Sequence, residues 1–60
     1  MYVIYTVDNE GTKYLKAAFL GYCWVTDINK AKNFKTEKEA RTVIRDLYRK
    51  DKGLYKVRYI

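Results

Sequence analysis

The sequence predicts an α+β fold, in which a small antiparallel sheet of three to four strands carries one helix on one face. Three observations support this prediction. A capping box opens a single amphipathic helix, and short segments rich in β-branched and aromatic residues lie before and after it. A length of 60 residues leaves room for one domain, residues 1–60. The predicted order of elements is β-β-β-α-β.

The first hairpin is predicted from the N-terminal segment. Residues 2–7, Tyr-Val-Ile-Tyr-Thr-Val, are typical of a strand. Residues 8–11, Asp-Asn-Glu-Gly, are typical of a turn. An extended pattern resumes over residues 13–19, so we expect this segment to pair with the first strand.

The region around Gly21 allows two interpretations. Leu20 and Gly21 are able to close a second tight hairpin, which makes residues 22–25 a third strand. The same residues also fit one long bent strand from Tyr14 to Val25, with Gly21 at a bulge. The sequence leaves both open.

The main helix is predicted from about Glu37 to Lys50 or Asp51. Thr36 followed by Glu39 forms a capping box, in which the threonine hydroxyl accepts the backbone N–H of the glutamate. Apolar residues then recur at the spacing of one buried helical stripe, namely Ala40, Val43, Ile44, Leu47 and Tyr48.

Two shorter elements complete the prediction. The spacing of Ala31 and Phe34 suits a short helical turn within residues 29–34 that places both side chains under the sheet. Residues 54–60 alternate as a last strand. One of its faces carries Tyr55, Val57 and Tyr59, which we interpret as core and not as a base-stacking platform, and the other carries Lys56 and Arg58.

A single helix covers only one face of such a sheet, yet the predicted strands are apolar on both faces. We therefore expect aromatic and aliphatic side chains to remain on an uncovered face and to mediate self-association as a homodimer. The candidates for this self-association face are Tyr2, Ile4, Tyr22 and Trp24.

The charge is strongly positive and uneven. The net charge is +6; residues 1–27 carry two lysines and three carboxylates, a net −1, and residues 28–60 carry eleven lysines and arginines and four carboxylates, a net +7. Basic residues recur along one side of the predicted helix. They either form a ridge that binds carboxylates or phosphates of a partner, or simply a solvated face. This basic ridge consists of Lys38, Arg41, Arg45 and Arg49.

The composition provides few of the side chains that catalysis and cofactor binding usually require. The chain has no histidine and a single cysteine, so we expect no metal site, no cofactor, no intramolecular disulfide and no enzymatic activity. Cys23 is expected to be an inert core residue. No segment approaches the length of a membrane helix, and the N-terminus carries no basic leader, so a cytoplasmic location is expected.

Four segments form a recurring layout: Lys13-Tyr14-Leu15-Lys16, Trp24-Val25-Thr26-Asp27, Lys30-Ala31-Lys32-Asn33-Phe34-Lys35-Thr36 and Glu39-Ala40. This layout resembles small uncharacterised accessory proteins encoded by bacteriophages and prophages of Gram-positive bacteria. The resemblance implies a protein made inside the bacterial cell that binds and inhibits a host enzyme or an antiviral defence complex.

The leading functional hypothesis is accordingly a phage-type interaction protein that inhibits a host or defence protein, with the basic ridge facing an acidic or nucleic-acid-binding surface of that target. The alternative is a small basic nucleic-acid-binding or regulatory module, which would use the same residues against phosphates. No sequence motif of a known nucleic-acid-binding class supports the alternative.

Overall fold

Four antiparallel strands and one helix make up the fold. The computed structural model describes residues 1–50 and 53–60, without the side chain of Lys50. The strands follow the order β3-β2-β1-β4 in one sheet, and every neighbouring pair is antiparallel. The predicted α+β class and β-β-β-α-β order are confirmed. The bounds are β1 Tyr2–Asp8, β2 Gly11–Ala18, β3 Gly21–Val25, a 3₁₀ turn Ile28–Lys30, α1 Glu37–Lys50 and β4 Lys56–Tyr59.

The turn between β1 and β2 lies where the sequence predicts it. Asp8 pairs with Gly11 across a two-residue loop, and the Asp8 carboxylate accepts the backbone N–H of Glu10 at 2.8 Å. Gly11 has a φ of 116°, a conformation that glycine adopts without steric cost.

The second hairpin is formed, but its turn lies one residue earlier than predicted. Ala18 pairs with Gly21, so the loop consists of Phe19 and Leu20. The long bent strand with a bulge at Gly21 does not form. The loop residues are not ones that tight hairpins prefer, which explains why turn chemistry pointed to the glycine instead.

The segment after the 3₁₀ turn reaches the core as an extended chain and not as the predicted helical turn. Backbone hydrogen bonds of 2.8 Å join Phe34 to Tyr2 in both directions, and Lys32 donates to the Leu15 carbonyl at 2.8 Å. Ala31 and Phe34 are nevertheless buried, as the sequence predicts. This segment therefore extends the β-sheet hydrogen bonding at one end of β1 and β2.

The helix begins at the predicted capping box, since Thr36 Oγ1 accepts the N–H of Glu39 at 3.2 Å. Its buried side contacts one hydrophobic cluster, built on Ile4, Leu15, Phe34 and Ala40. The helical residues Val43, Ile44 and Leu47 pack against that cluster. Tyr48 does not belong to the buried stripe, because it is 51% exposed.

The last strand is shorter than residues 54–60, but its alternation is as predicted on the inner side. Val57 lies opposite Ile4 in the register and packs against the core together with Tyr55. Tyr59 is the exception, since it is mostly exposed and contacts Tyr2 edge to face at a centroid distance of 5.1 Å.

The first testable prediction concerns the core. Ile4→Ala is expected to lower the free energy of unfolding by about 2–5 kcal/mol, because the side chain is fully buried and its removal leaves a cavity. Urea unfolding followed by circular dichroism measures the change. Val7→Ala is the control, because Val7 lies in the same strand but is mostly exposed. Equal effects of the two substitutions would contradict the assigned packing.

Candidate interaction surfaces

The residues predicted to form the self-association face lie on the side of the sheet that the helix covers. Ile4 is fully buried in the core cluster, and Tyr2 and Trp24 pack against that cluster. Tyr22 lies two residues before Trp24 in β3 and therefore on the same face, where it is 45% exposed. The expectation that this set lies on an uncovered face is therefore wrong. The reason is that both faces are apolar, and alternation alone does not decide which one the helix covers.

The opposite face of the sheet carries a small apolar centre with a basic border. Val3 is fully buried there, and the rings of Tyr5 and Tyr14 lie 6.4 Å apart beside Val25. Both tyrosines are only partly exposed. The exposed basic side chains that surround them belong to Lys16, Lys56 and Arg58.

The structure brings the predicted basic ridge together on the outward side of α1. A helix turns by about 100° per residue, so Lys38, Arg45 and Arg49 point within about 40° of one another. All are exposed. Arg41 lies to one side, where its guanidinium contacts the Glu37 carboxylate at 3.4 Å. Such an exposed pair contributes little to stability and leaves the ridge positive.

The most exposed apolar side chains lie at the tip of the β2–β3 hairpin. Phe19 is 94% exposed and Leu20 is 92% exposed. Neither residue was predicted to have a functional role. The composition of the loop is the feature that could have marked them as functional, because a two-residue hairpin loop without Gly, Asn or Asp is unusual. We call these two residues the hairpin tip.

The backbone of the hairpin tip is strained. Leu20 has a φ of 63°, and it is the one non-glycine residue with positive φ in the described chain. A branched side chain in this conformation costs about 1–2 kcal/mol, whereas glycine adopts it freely. The chain thus holds a large apolar residue in solvent at a cost in stability, a combination that is typical of binding sites.

The strand next to the hairpin tip is a free and uncharged edge of the sheet. β3 has the sequence Gly-Tyr-Cys-Trp-Val, and among residues 1–50 and 53–60 it pairs only with β2. Natural proteins usually protect such an edge with charged residues or proline. The other edge, β4, has this protection in Lys56 and Arg58. β3 is therefore the edge that is open to another strand.

Two aromatic side chains that pack against the core cluster also stack on each other. Trp24 and Tyr55 stack at a centroid distance of 5.6 Å with 6° between their planes, although they come from opposite edges of the sheet. A Cβ on Gly53 would lie 3.0 Å from the Tyr55 ring, so this stack favours glycine there. Beside the rings is a cavity of about 260 Å³, lined also by Thr6, Asp8 and Lys13.

The charged residues of this cavity neutralise one another. Lys13 Nζ lies 3.2 Å from the Asp8 carboxylate. The Glu10 N–H and then the Lys13 ammonium hold the pKa of Asp8 below its ordinary value, and the Asp8 carboxylate raises the pKa of Lys13. This arrangement keeps both groups charged at neutral pH, so neither is poised to transfer a proton.

Residues 1–50 and 53–60 contain no group of three or more potential ligand side chains that could hold a metal ion. Cys23 is exposed, which corrects the prediction that it is a core residue. It lies in β3, which is an edge strand of the sheet. Within the described ranges, no helix is both long and apolar enough to cross a membrane.

Comparison with known proteins yields no relative: no family model, no curated protein and no solved structure matches the chain. The surfaces themselves are therefore the basis for the functional argument. Of these, the hairpin tip combines the greatest apolar exposure with a strained backbone, and the basic ridge supplies charge.

Proposed function

We propose that this protein is a non-enzymatic binding protein that inhibits another protein by inserting the hairpin tip into an apolar pocket on it. The observation that carries this proposal is the nearly complete exposure of Phe19 and Leu20 on a strained turn. Burying two such side chains on a partner yields about 1.5–3 kcal/mol each. That is enough to make them the centre of a binding interface.

The hairpin also suits this role because it is held in one conformation before binding. β2 and β3 pair over five residues on each strand, and Ala18 and Gly21 close the loop. A preorganised loop loses little conformational entropy on binding, so more of the apolar burial contributes to affinity.

The basic ridge favours a negatively charged partner. Three exposed cations of α1 point the same way, and the chain as a whole has a net charge of +6. Such a field speeds the approach to an acidic surface more than it strengthens the final complex. A surface that binds nucleic acid is itself positively charged and would repel the ridge, so we assign the ridge to an acidic surface.

The resemblance to phage accessory proteins suggests the biological setting of this proposal. Proteins of that group are made in the bacterial cell, and a host enzyme or an antiviral defence protein is the corresponding target class. We include inhibition in the proposal because docking of the hairpin tip would occupy a surface of the target and exclude the target's other ligands from it.

The second candidate function is binding of nucleic acid. The observation that favours it is the position of Lys16, Lys56 and Arg58 around the Tyr5–Tyr14 pair, on the face of the sheet opposite the helix. Cations bordering aromatic rings on a sheet are a known arrangement for binding single strands. The limited exposure of both rings is the reason that we place this candidate second.

The hairpin tip yields a prediction that separates stability from function. Leu20→Gly is expected to raise the melting temperature, because it removes the strain of a positive φ, and to abolish capture of the target. Calorimetry measures stability, and quantitative mass spectrometry after affinity purification from bacterial lysate measures capture. Val7→Ser, which changes an exposed apolar residue outside the tip, is the control. A captured protein that binds Leu20→Gly as well as the unaltered chain would refute the role of the tip.

The basic ridge yields a prediction that separates the two candidate functions. For a protein target, Arg45→Glu with Arg49→Glu should slow association roughly tenfold at low salt, and the effect should fade as salt screens the charges. Stopped-flow association measures this, with Lys30→Glu and Lys35→Glu as the charge-matched control. The second candidate instead requires the unaltered chain to bind random single-stranded oligonucleotides at ~100 mM salt, with a salt slope that falls by about one unit for each of Lys16, Lys56 and Arg58 removed.

A further inference from the structure

We propose that the free edge of β3 pairs with the β3 of a second copy of this chain, antiparallel about a two-fold axis that passes beside Cys23. The two four-stranded sheets then become one continuous sheet. This inference deepens the proposed function, because it names the surface through which the binding protein dimerises. Two features of the edges support it: the direction in which the backbone groups of β3 point and the distribution of charge along β3 and β4.

The two-residue turn fixes the hydrogen-bonding phase of β3, that is, which of its residues direct their backbone N–H and C=O groups toward β2. Ala18 and Gly21 flank that turn and are paired, so they form a hydrogen-bonded pair. Bonding alternates along an antiparallel ladder, so Cys23 also directs its backbone groups toward β2. Tyr22 and Trp24 direct their backbone groups away from β2, toward the free edge of the sheet. No backbone or side-chain group in the described part of the chain bonds them there.

This phase is self-complementary. An antiparallel partner strand must offer backbone N–H and C=O groups that point toward β3 at the same spacing. A second copy of β3 does so when its Trp24 lies opposite Tyr22. The two-fold axis then repeats the same pair on its other side. Cys23, midway between them, lies opposite its own counterpart in a pair without hydrogen bonds. Cross-strand contact between a tyrosine and a tryptophan adds to the stability of such a ladder.

Charge selects β3 over the other edge. β3 contains no charged residue, so two copies of a chain with a net charge of +6 meet there without placing like charges opposite each other. The terminal hydrogen bonds between Met1 and Ile60 fix the phase of β4, whose outward residues are Val57 and Tyr59. A two-fold pair of β4 strands would therefore place Arg58 opposite Arg58, which is destabilising.

The dimer leaves the surfaces of the proposed function accessible. The central residue of the β3 pair is Cys23, so the hairpin tips lie at opposite ends of the joined strands, beyond the hydrogen bonds that involve Tyr22 and Trp24. The helix packs on β1 and β4, which lie toward the edge of the sheet opposite β3 and therefore away from the new contact. Each dimer thus presents two tips and two basic ridges.

The register can be tested by cross-linking through the native cysteine. Opposite residues in a pair without hydrogen bonds have Cα atoms about 4.5 Å apart, within the range of a disulfide. With oxidised glutathione, two Cys23 thiols form one disulfide and the reagent leaves as two reduced glutathione molecules, by way of a mixed disulfide. We expect rapid formation of a covalent species of twice 7.2 kDa.

The matched control moves the cysteine along the strand. In the variant Cys23→Ser with Val25→Cys, the new thiol lies opposite Gly21 of the other copy and not opposite itself. This variant should therefore cross-link far more slowly than the unaltered chain. Equal rates for the two proteins would overturn the proposed register.

The association itself is tested without any disulfide. Sedimentation equilibrium in reducing buffer, from low to high micromolar concentration, should give a mass of twice 7.2 kDa for the unaltered chain and for Cys23→Ser. Cys23→Lys places like charges on the two-fold axis and should be monomeric, whereas Ala18→Lys, on the neighbouring strand β2, should stay dimeric. A monomeric unaltered chain, or a dimeric Cys23→Lys, would overturn the proposal.

Two further variants keep the test independent of folding and of the proposed function. Tyr22→Pro removes an N–H that does not bond β2, so it blocks edge pairing even if Cys23→Lys fails to fold. Leu20→Gly should remain dimeric while it loses target capture. Failure of the dimer and failure of the tip are therefore observed in different proteins and by different measurements.

Discussion

The packing of α1 on one face of the sheet is the contact on which the rest of the structure depends. The helix contributes the buried Ala40 to a cluster with Ile4, Leu15 and Phe34, and the described part of the chain has few other buried side chains to support the fold. A domain of this size has little stability to spare. The contact thus fixes which face of each strand points inward, and it leaves the β2–β3 hairpin to extend away from the helix.

The elements that depend on local chemistry were predictable. The capping box at Thr36 located the start of the helix, and the turn signal before Gly11 located the first hairpin. The inward face was not predictable, because Val3 and Ile4 are equally apolar and both are fully buried. The extended path of Phe34 was missed for a related reason, since its hydrogen bonds are made to Tyr2, a residue distant in sequence.

The candidate site was predictable in part. The spacing of the basic residues predicted a ridge of Lys38, Arg41, Arg45 and Arg49, and in the structure Arg41 lies to one side of the other three, beside Glu37. The hairpin tip was not predictable, because Leu20 is not a residue that favours turns. Leu20 has a positive φ, which leucine disfavours, and this conflict is visible only after the position of the turn is known. Local conflict of this kind is itself a signal of function.

The central claim is that the protein acts through the β2–β3 hairpin. Amide hydrogen exchange, measured on the protein alone and in complex with its captured target, tests this claim most directly. The account predicts that binding slows exchange at Phe19, Leu20 and Gly21, with smaller changes along the helix. Protection confined to the helix or to the face that carries Tyr5 and Tyr14, with unchanged exchange at the hairpin tip, would contradict it.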